Sequence, residues 1–406
     1  MADMLTYPRW ISRRVEQIAF EDEQIARRSV SVDFKLPDNY VDVTNLNSGV
    51  PLVPLALLAK KSLVAFDLRD EEGRSLPLIA RNKNERVAAG TLIARAGTVL
   101  REHGQELDPQ TALDLQGVAS SSPANSAEAV RKAFDPKRSS PVGRRLLARD
   151  TQLRNLARDL AQNFLVLTPI SDPGARRVIK FAYNEPVGYG SEKLGEAVLT
   201  ALGWKPASFR WIAGGGGMAR SYHCEVKAPE NLELIDGMLS AVTTDGKTRT
   251  DKSETLGERI HLHLTNVPSD ANWVLRTDLR AIRRGLPRNA AALGAAVSAT
   301  LTAGVVFHHN VARASDTAAV LLVAIPALIG AFLARPGEHL LATRILFGIR
   351  TLTATIGALA FIAAASMTVS ADRAHTILVT WIPLAALSWL ATFALTLSAF
   401  LPRVRE

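Results

Sequence analysis

The chain has 406 residues, with 48 Lys and Arg against 39 Asp and Glu for a formal net charge of +9. That length exceeds one core, since domains usually hold about 100–200 residues. A single cysteine, Cys224, excludes an internal disulfide, as expected in a reducing compartment.

The charge is unevenly spread. Residues 1–285 carry almost all of it, and the rest is largely Ala, Leu, Val, Ile and Thr. Arg276, Arg280, Arg283, Arg284 and Arg288 concentrate before the first long apolar stretch. Membrane topology accounts for that cluster, and no nucleic-acid partner is expected. Residues 1–20 lack the apolar core and cleavage site of a signal peptide, so insertion is expected to rely on later segments. Frequent Ala and Arg with few Lys point to a high-GC bacterial source.

Period-two alternation opens the chain. Ile18 and Phe20, then Val30, Val32, Phe34 and Leu36, share one face, with Ser31, Asp33 and Lys35 on the other, which predicts a half-buried hairpin. Val64, Phe66 and Leu68 repeat the pattern before an acidic turn of Asp70, Glu71, Glu72 and Gly73, where glycine supplies a left-handed position. A return strand through Leu76 and Leu78 is expected at an edge, because Pro77 cannot donate to a ladder. Asn82 with Glu85 three residues on reads as a helix N-cap pair. Ala88, Leu92, Ile93, Val99 and Leu100 continue the helical spacing to about Gly104. Residues 1–104 therefore form a first unit of hairpins plus a helix.

Between Gly117 and Pro141 the composition shifts toward Ser, Ala, Asn and Pro, which predicts a linker or mobile loop, bounded at 105–142, with at most one short helix at 127–134. A β-rich domain is expected over 143–285. Leu146, Leu153, Leu156, Leu160 and Phe164 define an amphipathic helix leading into the strand FLVLTPI. Strands follow around Ile179, Phe181 and Tyr183, around Phe209, Trp211 and Ala213, around Tyr222, Cys224 and Val226, and around Leu232 and Leu234. Ile260, Leu262 and Leu264 mark the last clear one, and a short helix at 191–202 stops at Gly203. Short turns between strands make this an α+β region, mainly antiparallel and sandwich-like with added helices.

Residues 289–406 read as an all-α four-helix transmembrane bundle. Crossing roughly 30 Å of hydrocarbon takes about 20 apolar residues. Four windows supply this, at 290–307, 317–334, 351–369 and 377–401. None shows the polar stripe of a soluble helix. Arg335, Arg344, Arg350, Arg403 and Arg405 join the first arginine cluster on one side of the spans, against Arg313 and Arg373 on the other. The positive-inside rule then places both termini in the cytoplasm of a bacterial inner membrane. Arg283, Arg284, Arg288, Arg344 and Arg350 are the expected membrane-interface residues, with Arg350 snorkelling to the headgroups. The segment HLLATRILFGIR, 339–350, is expected to lie along the inner interface. Pro326 and Pro383 bend spans two and four, and Gly294, Ser298 and Thr302 form a small-residue face for bundling or homo-oligomerisation.

Chemistry is sparse. The glycine run 214–217 precedes Met218, Ala219, Arg220 and a strand instead of a helix N-terminus with Lys-Ser/Thr, so it reads as a hairpin turn and not a phosphate loop. The adjacent His308 and His309 end span one on the outer side and do not make a site alone. His223, His261 and His263 share the polar face of their strands and form the candidate ligand-binding cluster. Cys224 points to the opposite face, so it cannot complete a metal set and reads as a small buried hydrophobe. No nucleophile, zinc-protease or calcium-loop pattern appears, and no metal or cofactor is expected.

The leading expectation is a membrane-anchored, non-enzymatic protein. Its cytoplasmic domain would bind a protein partner or small-molecule ligand, and its bundle would anchor or relay that signal. The alternatives are a ligand-gated, oligomerising effector that permeabilises the bilayer and a membrane-tethered hydrolase using the histidine face.

Overall fold

The computed structural model describes residues 4–5, 10–37, 51–61, 64–170, 174–187, 194–212, 219–243, 246–253, 257–266, 271–313, 328–333, 339–369 and 372–400. An antiparallel-rich β domain comes first. C-terminal helices follow, three of them long and apolar.

The predicted hairpin is β1 (Ile11–Phe20) against β2 (Ile25–Phe34). Asp22 closes its turn by accepting the Gln24 and Ile25 N–H groups, each at 2.6 Å. Ile18, Phe20, Val30, Val32, Phe34 and Leu36 are all buried, as their alternation requires. β2 pairs with β6 (Arg177–Pro186), and β6 with the edge strand β4 (Val64–Arg69). On the other side β1 pairs with β8 (Ser221–Lys227), and β8 with β11 (Arg259–Thr265). The order is β11-β8-β1-β2-β6-β4, with only β1 and β8 parallel. Gly73 takes the left-handed turn position at φ +83, but the return strand stops after one bridge from Ser75 to Arg69. Pro77 cannot extend that ladder, and Leu78 stays exposed.

A second sheet, in the order β10-β9-β12-β7, is built from β7 (Ala207–Ile212), β9 (Leu232–Val242), β10 (Thr248–Ser253) and β12 (Asn272–Ala281). The inner faces of the two sheets meet through aromatic edges, Tyr222 on Trp273 at 5.0 Å and Phe20 on Phe209 at 5.1 Å. β12 extends the strand set beyond the last one expected, and it absorbs two of the clustered arginines. Arg280 pairs with Glu233 at 2.8 Å and Arg276 lies 3.8 Å from Asp278, so both belong to the sheet and not to the membrane flank.

The linker expected over 105–142 is helical instead. Between β4 and β5 (Asn163–Pro169), which ladders with β3 (Leu52–Ala59), stand α1 (Arg81–Arg101), α2 (Pro109–Ser120), α3 (Ser126–Ala133), α4 (Pro141–Arg149) and α5 (Thr151–Gln162). Pro109 and Pro141 mimic loop composition, yet both occupy a first helical turn, where an absent N–H breaks no bond. Asp108 and Asp150 cap α2 and α5 by accepting from Thr111 and Leu153 N–H at 3.0 and 2.7 Å. Leu92, Leu115, Val118 and Leu160 form the core of this unit. Asn82 is inside α1 and not its cap. Asn84, one turn in, accepts the Leu165 N–H at 3.3 Å and donates to the Leu165 carbonyl, which ties the helix to β5.

The predicted short helix is α6 (Leu194–Ala201), ended by Gly203 at φ +72. Residues 282–285 alone join β12 to α7 (Leu286–Val306). After α8 (His308–Arg313) come α9 (Leu340–Ile345), α10 (Phe347–Val369), α11 (Arg373–Thr376), a π turn over Ile377–Trp381, and α12 (Ile382–Phe400). The helices long and apolar enough to cross a membrane are Leu286–Val306, Phe347–Thr368 and Arg373–Phe400. The second expected span, at 317–334 with Pro326, lies outside the described residues except for helical 328–333. The described residues therefore show three such helices and not four.

The small-residue face of α7 packs inside the chain. The Ser298 hydroxyl lies 2.7 Å from that of Ser388 and 3.1 Å from that of Thr392, and Trp389 Nε1 donates to Thr302 Oγ1 at 3.1 Å. A Cβ on Gly294 would meet Thr392 Oγ1 at 2.6 Å. The π turn precedes Pro383, whose missing N–H frees a carbonyl, and it turns the fully buried Trp381 onto Gly304. One apolar cluster runs from Phe209 and Leu275 between the sheets, through Ala281 and Ala290, to Trp381 and Leu395 in the bundle.

Candidate functional site

The three candidate histidines come together on the outer face of the larger sheet. β8 and β11 run antiparallel with His223 opposite His263 and Glu225 opposite His261. Alternation sends Tyr222, Cys224 and Val226 into the core and leaves Ser221 and the three imidazoles on the open side. The rings form a row. His223 stacks on His263 at 4.3 Å between centroids and on His261 at 5.2 Å, with interplanar angles of 22° and 26°.

Both nitrogens of the middle ring are engaged. His223 Nε2 lies 2.7 Å from Ser221 Oγ, and its Nδ1 lies 3.1 Å from His261 Nε2. The same hydroxyl is 3.3 Å from His263 Nε2. Asp251 on β10 accepts the His263 backbone N–H at 2.6 Å and pins the edge strand from outside. Partial burial, then the neighbouring His263, Arg13 and His261, push the His223 imidazole down to about 4. The ring is therefore neutral at physiological pH, with its capacity to take a proton held in reserve.

Ser221, His223 and His261 stand at nucleophile, base and orienting distances. Acyl transfer also needs hydrogen-bond donors aimed at the developing oxyanion. β8 is an interior strand, laddered by β1 on one side and β11 on the other, so its N–H groups point within the sheet. Among the described residues no three His, Cys, Asp or Glu side chains are arranged to hold a metal. What the row offers is a proton acceptor, or a polar grip on a ligand lying flat on the sheet.

A second constellation lies on the opposite face of the same sheet. Glu16, fully buried, is 3.4 Å from Arg14 and 3.6 Å from Arg28, and it accepts the Tyr222 hydroxyl. Arg28 extends the chain of contacts to Tyr183 Oη at 3.2 Å, Glu185 at 3.1 Å and the Ile212 carbonyl at 3.1 Å, which reaches the second sheet. Burial alone would raise the Glu16 carboxyl, but Arg28, Arg14 and the Tyr222 hydroxyl hold it below its ordinary value. Burial and the Glu16 charge push the Cys224 thiol up to about 12, which makes it inert. Sequence reasoning missed this network. Its signal was present: Arg14 and Glu16 stand in phase with Ile18 and Phe20, and Arg28 with Val30, so charges occupy the apolar phase of two strands.

Of the expected interface arginines, Arg284 and Arg288 are exposed beside the start of α7, and Arg283 is half-buried. Arg344 pairs with Glu23 on the β1–β2 turn at 3.6 Å, and Arg350 donates to Thr343 Oγ1 at 3.2 Å. Part of the segment 339–350 is turned inward, with Leu341, Ala342, Ile345 and Leu346 buried. The glycine run 214–217 lies outside the described residues.

No family model and no curated protein matches the chain. Two solved structures of a mutant M1 zinc metallopeptidase from Deinococcus radiodurans, one bound to a Tyr-Ser-Ala substrate, are 10% identical to it. The alignments cover 98% of this chain and 96% of that one, with TM-scores of 0.25 and 0.24. Scores this low carry no argument about fold or function.

Proposed function

We propose that this is a membrane-anchored, non-enzymatic protein whose cytoplasmic β-rich domain binds a small molecule or protein partner and whose helical bundle relays that event. One observation supports this reading most. The apolar cluster is continuous from between the sheets into the bundle, with residues 282–285 as the only covalent connection. A domain tethered for location alone needs a linker, whereas a shared core resists independent movement of its two halves.

Two further contacts reinforce the coupling. His339 accepts the Leu341 N–H on Nδ1 at 3.2 Å while its Nε2 lies 3.1 Å from the Phe20 carbonyl, which joins the β1–β2 turn to α9. Trp204 and Leu202, just past α6, bond to α12 through Ala394 and Ser398. The imidazole row sits on strands whose other faces belong to the shared core, so it is the place where a ligand would be felt. The bacterial inner membrane, with the β domain and both termini on its cytoplasmic side, is the setting that the arginine distribution supports.

Protons are the available probe. In full-length protein held in nanodiscs, amide protection across 286–306, taken relative to the intrinsic exchange rate at each pH, should change between about pH 7.5 and about 4, where the His223 imidazole takes up its proton. That change should be smaller in a variant carrying His223→Gln, His261→Gln and His263→Gln. Exchange that responds identically in both proteins would reject the histidine row as the input.

A further inference from the structure

We infer that α6 and the turn after it lie in the bilayer, as a wedge at the boundary between headgroups and acyl chains of the leaflet facing the β domain. This rests on the reading of the bundle as membrane-spanning. It adds a lipid-binding element to a part of the β domain whose sequence reads as ordinary soluble structure.

The first observation is exposure in the wrong place. α6 has the sequence LGEAVLTA with one charge, and Gly195, Glu196, Ala197, Val198 and Leu199 are all exposed, Val198 at 50%. A short helix of this composition normally buries its apolar residues against protein. Among its described side chains only Thr200, near its end, is buried. Leu340 and Phe347 stand exposed on the helices that α6 touches, α9 and α10, so exposed apolar side chains also mark its neighbours.

The second observation is depth. The far end of α6 is fixed to the spans by four contacts. A Cβ on Gly348 would meet the Ala201 carbonyl oxygen at 2.6 Å, and one on Gly203 would meet Ile349 at 3.2 Å. The Ser398 hydroxyl donates to the Leu202 carbonyl, and Trp204 Nε1 donates to the Ala394 carbonyl at 3.1 Å. Ala394 precedes Phe400, the end of α12, by six residues, or about 9 Å at roughly 1.5 Å per residue. The apolar helix from Ile377 to Phe400 is about 36 Å long against roughly 30 Å of hydrocarbon. Even if all the excess protrudes on this side, Ala394 stays within the hydrocarbon edge.

The third observation is chemical fit. Interfacial helices lay an apolar surface about 5–10 Å into the boundary and keep charges at headgroup level. Glu196 and Lys205 pair at 3.0 Å, so the element brings no net charge into that zone. Trp204 places an apolar ring with one donor where indoles concentrate in membrane proteins. The occupant of this surface is therefore phospholipid.

The test uses full-length protein in vesicles of phosphatidylcholine and phosphatidylglycerol, with an environment-sensitive dye on a single introduced thiol. Cys224 is fully buried and should not label. The positions are Val198→Cys on α6, Leu113→Cys on α2 as a site in water, and Phe361→Cys on α10 as a site in lipid; all three side chains are exposed. Dye at 198 should lose fluorescence to lipids carrying a doxyl group near the headgroup and keep it in iodide, while dye at 113 does the reverse. Iodide quenching at 198 with lipid quenching at 361 would overturn the wedge and leave the spans standing. Iodide quenching at both 198 and 361 would remove the membrane reading itself, and the wedge with it.

Discussion

The indole N–H of Trp204 donates to the carbonyl oxygen of Ala394 at 3.1 Å, so a side chain from the turn after α6 holds the backbone of the last long apolar helix. A helix interior normally satisfies its own carbonyls, and an external donor there marks a docked surface. Trp204→Phe keeps the ring and removes the donor. Unfolding of the full chain in detergent should show a loss of about 1 kcal/mol. Trp204→Ala should cost more, because the packing goes too. If Phe leaves stability unchanged, the bond contributes nothing and the docking rests on apolar contact alone.

Gly304 faces the fully buried Trp381, whose indole Nε1 is fixed by Ser366 Oγ at 3.2 Å. An added methyl has no room, so Gly304→Ala should destabilise the bundle by about 1–3 kcal/mol. Gly90 makes the opposite case, since it sits in α1 with nothing near a Cβ. Gly90→Ala should stabilise by about 0.5–1 kcal/mol through helix propensity. Thermal unfolding of both variants reads the contrast, and shifts of the same sign would contradict it.

Glu16 is the shared counter-charge of a buried network, and removing one member of such a network typically costs about 3–5 kcal/mol. Glu16→Gln should therefore be strongly destabilised at neutral pH. Because the folded carboxyl lies below its ordinary 4.5, its contribution is complete above that value and fades as pH falls through the folded one. The natural protein should show an acid-unfolding limb that the variant lacks. Matching acid profiles would show that Glu16 is not the titrating group.

His223 follows the same direction for a different reason. Its folded imidazole is pushed from 6.5 to about 4, so protons bind the unfolded chain more readily. Its contribution to stability is complete above pH 6.5 and declines between 6.5 and 4. Denaturant midpoints across that window should fall less steeply in His223→Gln than in the natural chain. An unchanged slope would mean that burial and the neighbouring His263, Arg13 and His261 do not hold the ring neutral.

By itself the sequence determined which residues face which solvent. Alternation placed Ile18, Val30, Phe181 and Tyr222 inward, and it put His223, His261 and His263 on one open face. Unbroken apolar windows marked the three long, apolar helices found among the described residues. These are properties of neighbouring residues, and side-chain period follows from local backbone geometry. Tertiary structure alone decided the rest. It turned the Ser- and Pro-rich 105–142 stretch into helices, because Leu115 and Val118 found a core that composition does not reveal. It also brought Arg14, Glu16, Arg28 and Tyr222 together from three strands and seated Trp204 on Ala394 across 190 residues of chain. Those pairings depend on which strands and helices become neighbours, and that is set by the summed burial of the whole chain, not by any local run of residues.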